Sequence, residues 1–289
     1  MVIQMIIDGG ADLPQSMIDK HQLKVVPLNI HFGEEQYKTG VTMDLPTFYK
    51  KLEETDIWPS SSSPSPQDFY EKYKEVDTAQ PILVLALTQG LSSTYNSARI
   101  GRDMLLEEEP DREIAVLNTK TASCGIALLV DEAARKIEET SDFSSIVAHM
   151  EKRIEQTTTL FVLKTLENVI RGGRLDRVKG TIAKTLNIKL LMKATDDEGS
   201  IDVTEKVRGN KKAIRRFIEQ IGEYAHQFEN KVIALSHSND EAYGKKILQM
   251  IKEKYPFKDS IFTETGPLIS TYAGDGGLVI AFFRDDQDR

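Results

Sequence analysis

The sequence predicts an α/β protein in two parts: a three-layer α/β/α domain on a parallel sheet, then a second α/β domain with a mixed sheet. Three observations lead there. In the first half, short and nearly continuous apolar runs alternate with stretches of helical periodicity, as strands buried on both faces of a parallel sheet do. In the second half the turn-rich Asp196–Ser200 (DDEGS) joins two strand-like runs and predicts an antiparallel hairpin. The chain has 289 residues, enough for two ordinary domains. The expected division is 1–155 and 156–289.

Along the first part, Val2–Asp8 (VIQMIID), Lys24–Ile30 (KVVPLNI), Ile82–Leu87 (ILVLAL) and Glu113–Asn118 (EIAVLN) read as strands. Asp12 before Leu13-Pro14 and Asp44 before Leu45-Pro46 read as helix starts. Ser65 is a third, with proline at the first helical position and Asp68 three residues after the cap. Thr121–Thr140 reads as a fourth helix, with Ile126, Leu129, Val130 and Ala133 on one face. His31–Asp44 reads as a loop or hairpin excursion from the sheet, reaching to about residue 60.

Along the second part, Thr159–Leu163, Ile188–Lys193, Ser200–Thr204, Lys231–Ser236, Ile261–Glu264 and Leu278–Phe283 read as strands. Long helices are expected over Arg208–Phe228 and Asp240–Tyr255, with Ile214, Phe217, Ile218 and Ile221 on one face of the former. Helices are expected on one side of this mixed sheet.

Composition bounds the function. Hydrophobic content is 40% and charged content 28%, which fits a folded soluble protein. The net charge of −8 argues against a general nucleic-acid surface, because neutralising phosphates needs a basic excess. No apolar run approaches the ~20 residues of a membrane span, so contact with a membrane is expected to be transient at most. MVIQMIIDGG reads as a first strand rather than a signal peptide. A single cysteine, Cys124, excludes an internal disulfide and fits a reducing, cytoplasmic setting. The five histidines are scattered and no metal-ligand spacing links them.

Four stretches carry the residue types for chemistry. The run WPSSSSPSPQDFY (Trp58–Tyr70) reads either as a solvated hinge or as a hydroxyl-lined ligand loop. LALTQGLSSTYNSA (Leu85–Ala98) places a glycine turn and then Ser92, Ser93 and Thr94 at the end of a buried strand. Ligands of open parallel sheets bind beyond such strand ends, and a helix start there favours an anion. Ser92 alone reads first as an ordinary helix cap. The same residues partly match the G-x-S-x-G turn of serine hydrolases, with Thr94 where the closing glycine belongs and His237 as a candidate base.

TLENVIRGGRLDRVKG (Thr165–Gly180) sets Arg171, Arg174 and Arg177 around Gly172-Gly173, which suits either a capped helix end or an anion or partner contact. GPLISTYAGDGGLVIAFF (Gly266–Phe283) leads Ser270, Thr271 and Tyr272 into a glycine turn before an apolar strand.

In this order, the motifs resemble the DegV-type fatty-acid-binding proteins over nearly the whole chain. The resemblance rests on IIDGGADLP (Ile6–Pro14), KVVPLNI, PSSSSPSPQDF (Pro59–Phe69), LTQGLSSTYNSA, NVIRGGRL (Asn168–Leu175), LNIKLLM (Leu186–Met192) and KVRGNKKA (Lys206–Ala213). It implies two α/β domains with a tunnel between them for one long acyl chain, whose every buried CH₂ contributes ~0.8 kcal/mol. It implies a carboxylate held by Ser61, Ser92, Ser93, Thr94 and Tyr272, with Ser60, Ser62, Gly274 and Gly276 as supports. It also implies a partner kinase that phosphorylates the bound carboxylate, with Arg171 and Arg174 as its docking or charge-stabilising residues.

The chain would then be a bacterial lipid carrier in phospholipid metabolism, not itself an enzyme, with no cofactor beyond its ligand and no metal. Three features depart from the family pattern, the first being Ser93 where the glycine of a Ser-Gly-Thr motif is usual. Tyr272 stands where a histidine is usual, so a hydrogen-bond donor replaces a potential cation. Asp275 adds a negative charge close by. The alternatives are a carrier of another amphiphilic lipid and, behind it, a hydrolase acting through Ser92.

Overall fold

A computed structural model describes residues 2–175 and 188–285. Arg177 and the start of the LNIKLLM motif lie outside the described residues.

The first sheet has the order β2-β1-β6-β7, from Lys24–Val26, Gln4–Asp8, Ile82–Ala86 and Ile114–Asn118, and every pair in it is parallel. All five residues of β6 are buried, as expected of a strand covered on both faces. One face packs on α3 (Pro66–Lys74) and α4 (Thr94–Glu108), through Phe69, Tyr73, Ala98 and Leu105. The opposite face packs on α5 (Cys124–Glu139).

KVVPLNI does not form one strand. Pro27 has no N–H for a ladder, and the chain leaves the first sheet there to enter a small second one. That sheet has the order β4-β3-β5, from Glu35–Lys38, Asn29–Phe32 and Ser60–Ser62. The excursion is thus a hairpin closed by a third strand made of serines. Between them α2 (Leu45–Glu54) starts where expected, with the Asp44 carboxylate accepting from Thr47 N at 2.8 Å. Ser65 caps α3 with a complete capping box, as its spacing predicts. Asp12 caps nothing. The short α1 (Gln15–Lys20) follows Pro14, while the Asp12 side chain turns into the interior.

The helix expected from Thr121 begins at Cys124, after a residue with positive φ, Ser123. Cys124 to Val130 are all buried, so α5 is covered all round rather than on one face. α6 (Phe143–Gln156) then leads into the third sheet.

The third sheet has the order β10-β9-β8-β13-β11-β12, from Ile201–Arg208, Ile188–Ala194, Thr157–Val162, Leu278–Phe283, Val232–His237 and Asp259–Glu264. It is mixed: β11 and β12 are parallel and the other pairs antiparallel. The DDEGS turn joins β9 to β10 as an antiparallel hairpin.

Helices cover both faces of this sheet, not one. α8 (Asn210–Glu219) and α10 (Glu241–Lys254) bury Ile214, Phe217, Ile247 and Ile251 on one side. α5 packs against β8, β11 and β13 from the other. The long helix expected over Arg208–Phe228 is broken: β10 runs to Arg208, and α8 gives way at Gln220 to α9 (Ile221–Tyr224). Two further short helices, α7 (Glu167–Arg171) and α11 (Pro267–Ala273), flank the site. Because α5 lies between the large sheets, one apolar cluster runs from Met5 to Phe283 through both halves of the chain.

Candidate functional site

A cavity lies between the first and third sheets. Leu28, Leu87, Phe161, Leu163, Val169, Leu268, Ile269 and Val279 supply most of its walls. At one end the walls become polar, with Ser61, Ser63, Ser92, Arg174 and Tyr272.

Strand geometry sorts the serines of PSSSSPSP. β5 pairs antiparallel with β3, with Ser61 opposite Ile30. Alternation then turns Ser61 and Ser63 inward and Ser60 and Ser62 outward. Ser62 Oγ meets Asn29 Nδ2 at 3.3 Å and His31 Nε2 at 3.0 Å on the outer side. The buried rings of Pro59 and Pro64 bracket the strand.

Ser61 Oγ and Tyr272 OH are 2.6 Å apart, and Ser63 Oγ and Ser93 Oγ 2.7 Å. Ser92 Oγ lies 2.8 Å from Thr94 Oγ1 and accepts from Thr94 N at 3.3 Å. Ser93, not Ser92, is the cap residue of α4, and its side chain makes no capping bond. Each hydroxyl pair uses one proton internally and keeps one to donate.

The positive charge comes from the Gly-Gly turn. Arg174 crosses the face of Tyr272, with 5.0 Å from the guanidinium carbon to the ring centre. Its guanidinium donates to the backbone carbonyls of Leu91, at 3.4 Å, and Gly172. No carboxylate pairs with it among the described residues. Gly172 permits this packing, since a Cβ there would stand 2.3 Å from Tyr272 Cε1. Tyr272 thus brings a hydrogen-bond donor and Arg174 a cation to the same end of the cavity.

The other expected residues separate. Arg171 is exposed, 5.0 Å from the exposed Trp58 ring, and pairs with Glu167. Gly274, at φ +62°, ends α11 beside Asn168. Gly276 and Asp275 do not line the cavity: Gly276 N donates to Ser238 O at 2.6 Å, and Asp275 accepts from Asn239 Nδ2 at 3.0 Å. Asp275 therefore adds no charge to the cavity wall. His237 is buried at the end of β11 against Phe262 and Gly244, outside the cavity lining, and burial lowers its pKa. It is not placed to activate Ser92.

Sequence reasoning missed a second polar group against the same cavity. Ser123, in its wall, donates to Asp12 Oδ2 at 2.5 Å and meets Ser236 Oγ at 2.6 Å. Gly266 N donates to Asp12 Oδ1 at 2.7 Å. Burial pushes the Asp12 pKa up to about 7 against the pull of these bonds. Asp8, accepting from Leu87 N and Gly10 N, is likewise raised by burial to about 6. The positive φ of Ser123, 58°, is the local sign that this turn is held by its surroundings. Thr121 and Thr159 add a further pair of wall hydroxyls, 2.6 Å apart. Among the described residues there is no cluster of metal-ligating side chains, and no helix is long and apolar enough to cross a membrane.

Fold and cavity define a two-part α/β protein with an internal, largely apolar cavity that ends in hydroxyls and one guanidinium. The chain belongs to the DegV family: that family's profile, described as an uncharacterised protein family, matches residues 2–285. A DegV domain-containing protein of Clostridium perfringens is 30% identical over 284 residues, covering 97% of each chain. A DegV-family structure from Ruminococcus gnavus with vaccenic acid superposes with a TM-score of 0.90 at 29% identity, covering 97% of this chain and 99% of that one. The fatty acid kinase B3 protein of Streptococcus pneumoniae, loaded with linoleic acid, gives 0.87 at 26% identity over 99% and 100%.

Proposed function

We propose that this protein binds one long-chain fatty acid between its two large sheets and presents the carboxylate to a partner kinase. The observation that carries the reading is the polarity of the cavity: apolar along its walls, with Ser61, Ser92, Arg174 and Tyr272 converging at one end. An acyl tail gains from the apolar part at ~0.8 kcal/mol per CH₂. A carboxylate gains from two hydroxyl donors and a guanidinium, since hydrogen bonds between charged groups are the strong ones. The fatty acids carried by the relatives from Ruminococcus gnavus and Streptococcus pneumoniae support the same ligand class.

The kinase part rests on the Streptococcus pneumoniae relative, which is named as a fatty acid kinase component. In such a reaction a carboxylate oxygen forms a bond to the terminal phosphorus of a nucleoside triphosphate, and the bond to the leaving diphosphate breaks. This chain would bind and orient the acyl substrate, with the exposed Arg171 and Trp58 beside the site as the docking surface. No cofactor is assigned to the chain, and a cytoplasmic location fits the kinase reading.

Native mass spectrometry of protein purified from a bacterial host tests the ligand. A retained long-chain fatty acid is expected. Repeated preparations that carry no acyl chain, or only a lipid lacking a free carboxylate, would overturn the reading.

A further inference from the structure

The acyl part of the cavity is not uniformly apolar. Thr121, in the loop between β7 and α5, and Thr159, on β8, line it and set their Oγ1 atoms 2.6 Å apart. Both residues are buried. The inward face of β8 and its continuation carries Thr159, Phe161 and Leu163 in alternation. Leu163 lies level with the carboxylate end, since it packs with Ala273, the neighbour of Tyr272, around Gly277. Thr159 is further along the same face, about 13 Å away at ~3.3 Å per residue. An extended acyl chain with C–C bonds of ~1.5 Å covers that distance in about ten carbons. The hydroxyl pair therefore stands beside the middle of a long chain.

A pair of threonines there needs a reason. Valine would fill nearly the same space on a central strand with no polar group to satisfy. The pair also has hydrogen-bonding capacity to spare. Two hydroxyls bring two protons and four lone pairs. One proton is used between them. Among the described residues the other reaches only Ala122 O, 3.3 Å from Thr121 Oγ1, and that oxygen already accepts from Gly125 N at 3.1 Å. The Asp12 network differs, because there each carboxylate oxygen is held by a close donor. A ligand hydroxyl beside Thr121 and Thr159 can donate to one threonine oxygen and accept from the other.

We infer that the cavity takes a fatty acid with a hydroxyl near the middle of its chain, and that Thr121 and Thr159 are the residues that receive this hydroxyl. The inference rests on the fatty-acid reading above and narrows its ligand class. In a wholly apolar cavity such a hydroxyl would lose its water partners and gain none, which disfavours binding. Here the threonine pair stands in for the water, while the carboxylate stays at Ser61, Ser92, Arg174 and Tyr272.

The test uses the delipidated full chain and three ligands of equal length: stearate, 10-hydroxystearate and 5-hydroxystearate. Calorimetry gives the affinity of each. The two hydroxy acids are isomers, so their hydration before binding is nearly the same. The 10-isomer is expected to bind about tenfold tighter than the 5-isomer, whose hydroxyl falls on the apolar wall near Phe161 and Val279. In Thr121→Val/Thr159→Val that preference should shrink to less than about twofold, while stearate changes less than about twofold. Replacing both partners of a hydrogen bond by apolar groups of similar shape is nearly neutral, and Ala122 O keeps its bond from Gly125 N. Thr159→Ser keeps the hydroxyl and should keep the preference.

Equal affinities for the two isomers in the unaltered protein, or a preference that survives the double variant, would overturn the assignment of the threonine pair alone. The comparison of isomers needs no variant, so it decides the matter even where the double variant folds poorly. Failure of stearate and both hydroxy acids to bind would remove the fatty-acid reading as well.

Discussion

Two polar groups press against one apolar cavity, and they are built in opposite ways. At the mouth, Ser61 pairs with Tyr272 and Ser92 with Thr94, each pair keeping a proton to donate, and Arg174 has no acid partner among the described residues. At the floor, Asp12 has both carboxylate oxygens engaged, by Ser123 and Gly266 N, and Ser123 also meets Ser236. The mouth has donors to spare and the floor has none. Spare donors mark a place for a ligand. A closed network marks a joint, and this one ties the loop after β1 to the start of α5, to β11 and to the start of α11. The difference separates binding residues from structural ones where burial alone would not, because both groups line or adjoin the same space.

The comparison breaks most visibly at the floor. Asp12→Ala leaves Gly266 N and the Ser123 hydroxyl buried without their acceptor, and is expected to cost about 3 kcal/mol of stability. Thermal or urea unfolding of the delipidated protein measures it. A loss below about 1 kcal/mol would mean that the joint is not structural.

At the mouth the expected effect lies on binding instead. Arg174→Ala should weaken oleate by about 2 kcal/mol, roughly thirtyfold, as loss of a charge-assisted hydrogen bond does. The delipidated variant should keep its unfolding midpoint. A lower midpoint with unchanged affinity would place Arg174 with the structural residues.

A pH series sharpens the contrast. Burial holds Asp12 at about 7 and Asp8 at about 6 in the folded chain, above their ordinary 3.8. The folded form therefore binds more protons than the unfolded one between about pH 4 and 7. Stability should fall as pH rises through that window and level off above about pH 7. Asp12→Asn should remove the slope between about pH 6 and 7 and roughly halve it between about pH 4 and 6, where Asp8 still contributes. An unchanged slope would contradict the assignment to Asp12.

The smallest expected difference lies between hydroxyls. Ser92→Ala should lower fatty-acid retention more than Ser63→Ala, because Ser92 sits on the same stretch of wall as Arg174. Equal retention by native mass spectrometry would move the carboxylate toward the serine strand.

Much of the fold could be read from local pattern, and the exceptions have physical causes. Apolar runs gave β1, β6, β8, β11 and β13, and the caps at Asp44 and Ser65 work as their spacing predicts. Pro27 split a run that was apolar throughout, because a missing N–H outweighs hydropathy. β5 was hidden because four serines carry no hydrophobic alternation; its partner β3 and the two prolines make it a strand. Asp12 has the sequence signature of a cap, but tertiary partners claimed its side chain.

The site was half legible. Ser61 and Ser92 follow from motif and topology. Arg174 carries the same motif as Arg171, yet only Arg174 reaches the cavity, because Gly172 lets the turn close on Tyr272. Gly276 and Asp275 are near Tyr272 in sequence and outside the cavity in space.

The most direct test is the carboxyl resonance of [1-¹³C]oleate bound to the delipidated protein, followed against pH by NMR. The account predicts one bound species whose carboxyl titrates below the range of the free acid. In Arg174→Ala that titration should return toward the free-acid range, while in Ser63→Ala it should stay low. A bound carboxyl that titrates like the free acid in the unaltered protein, or that ignores Arg174→Ala, would contradict the placement of the ligand's head group at this end of the cavity.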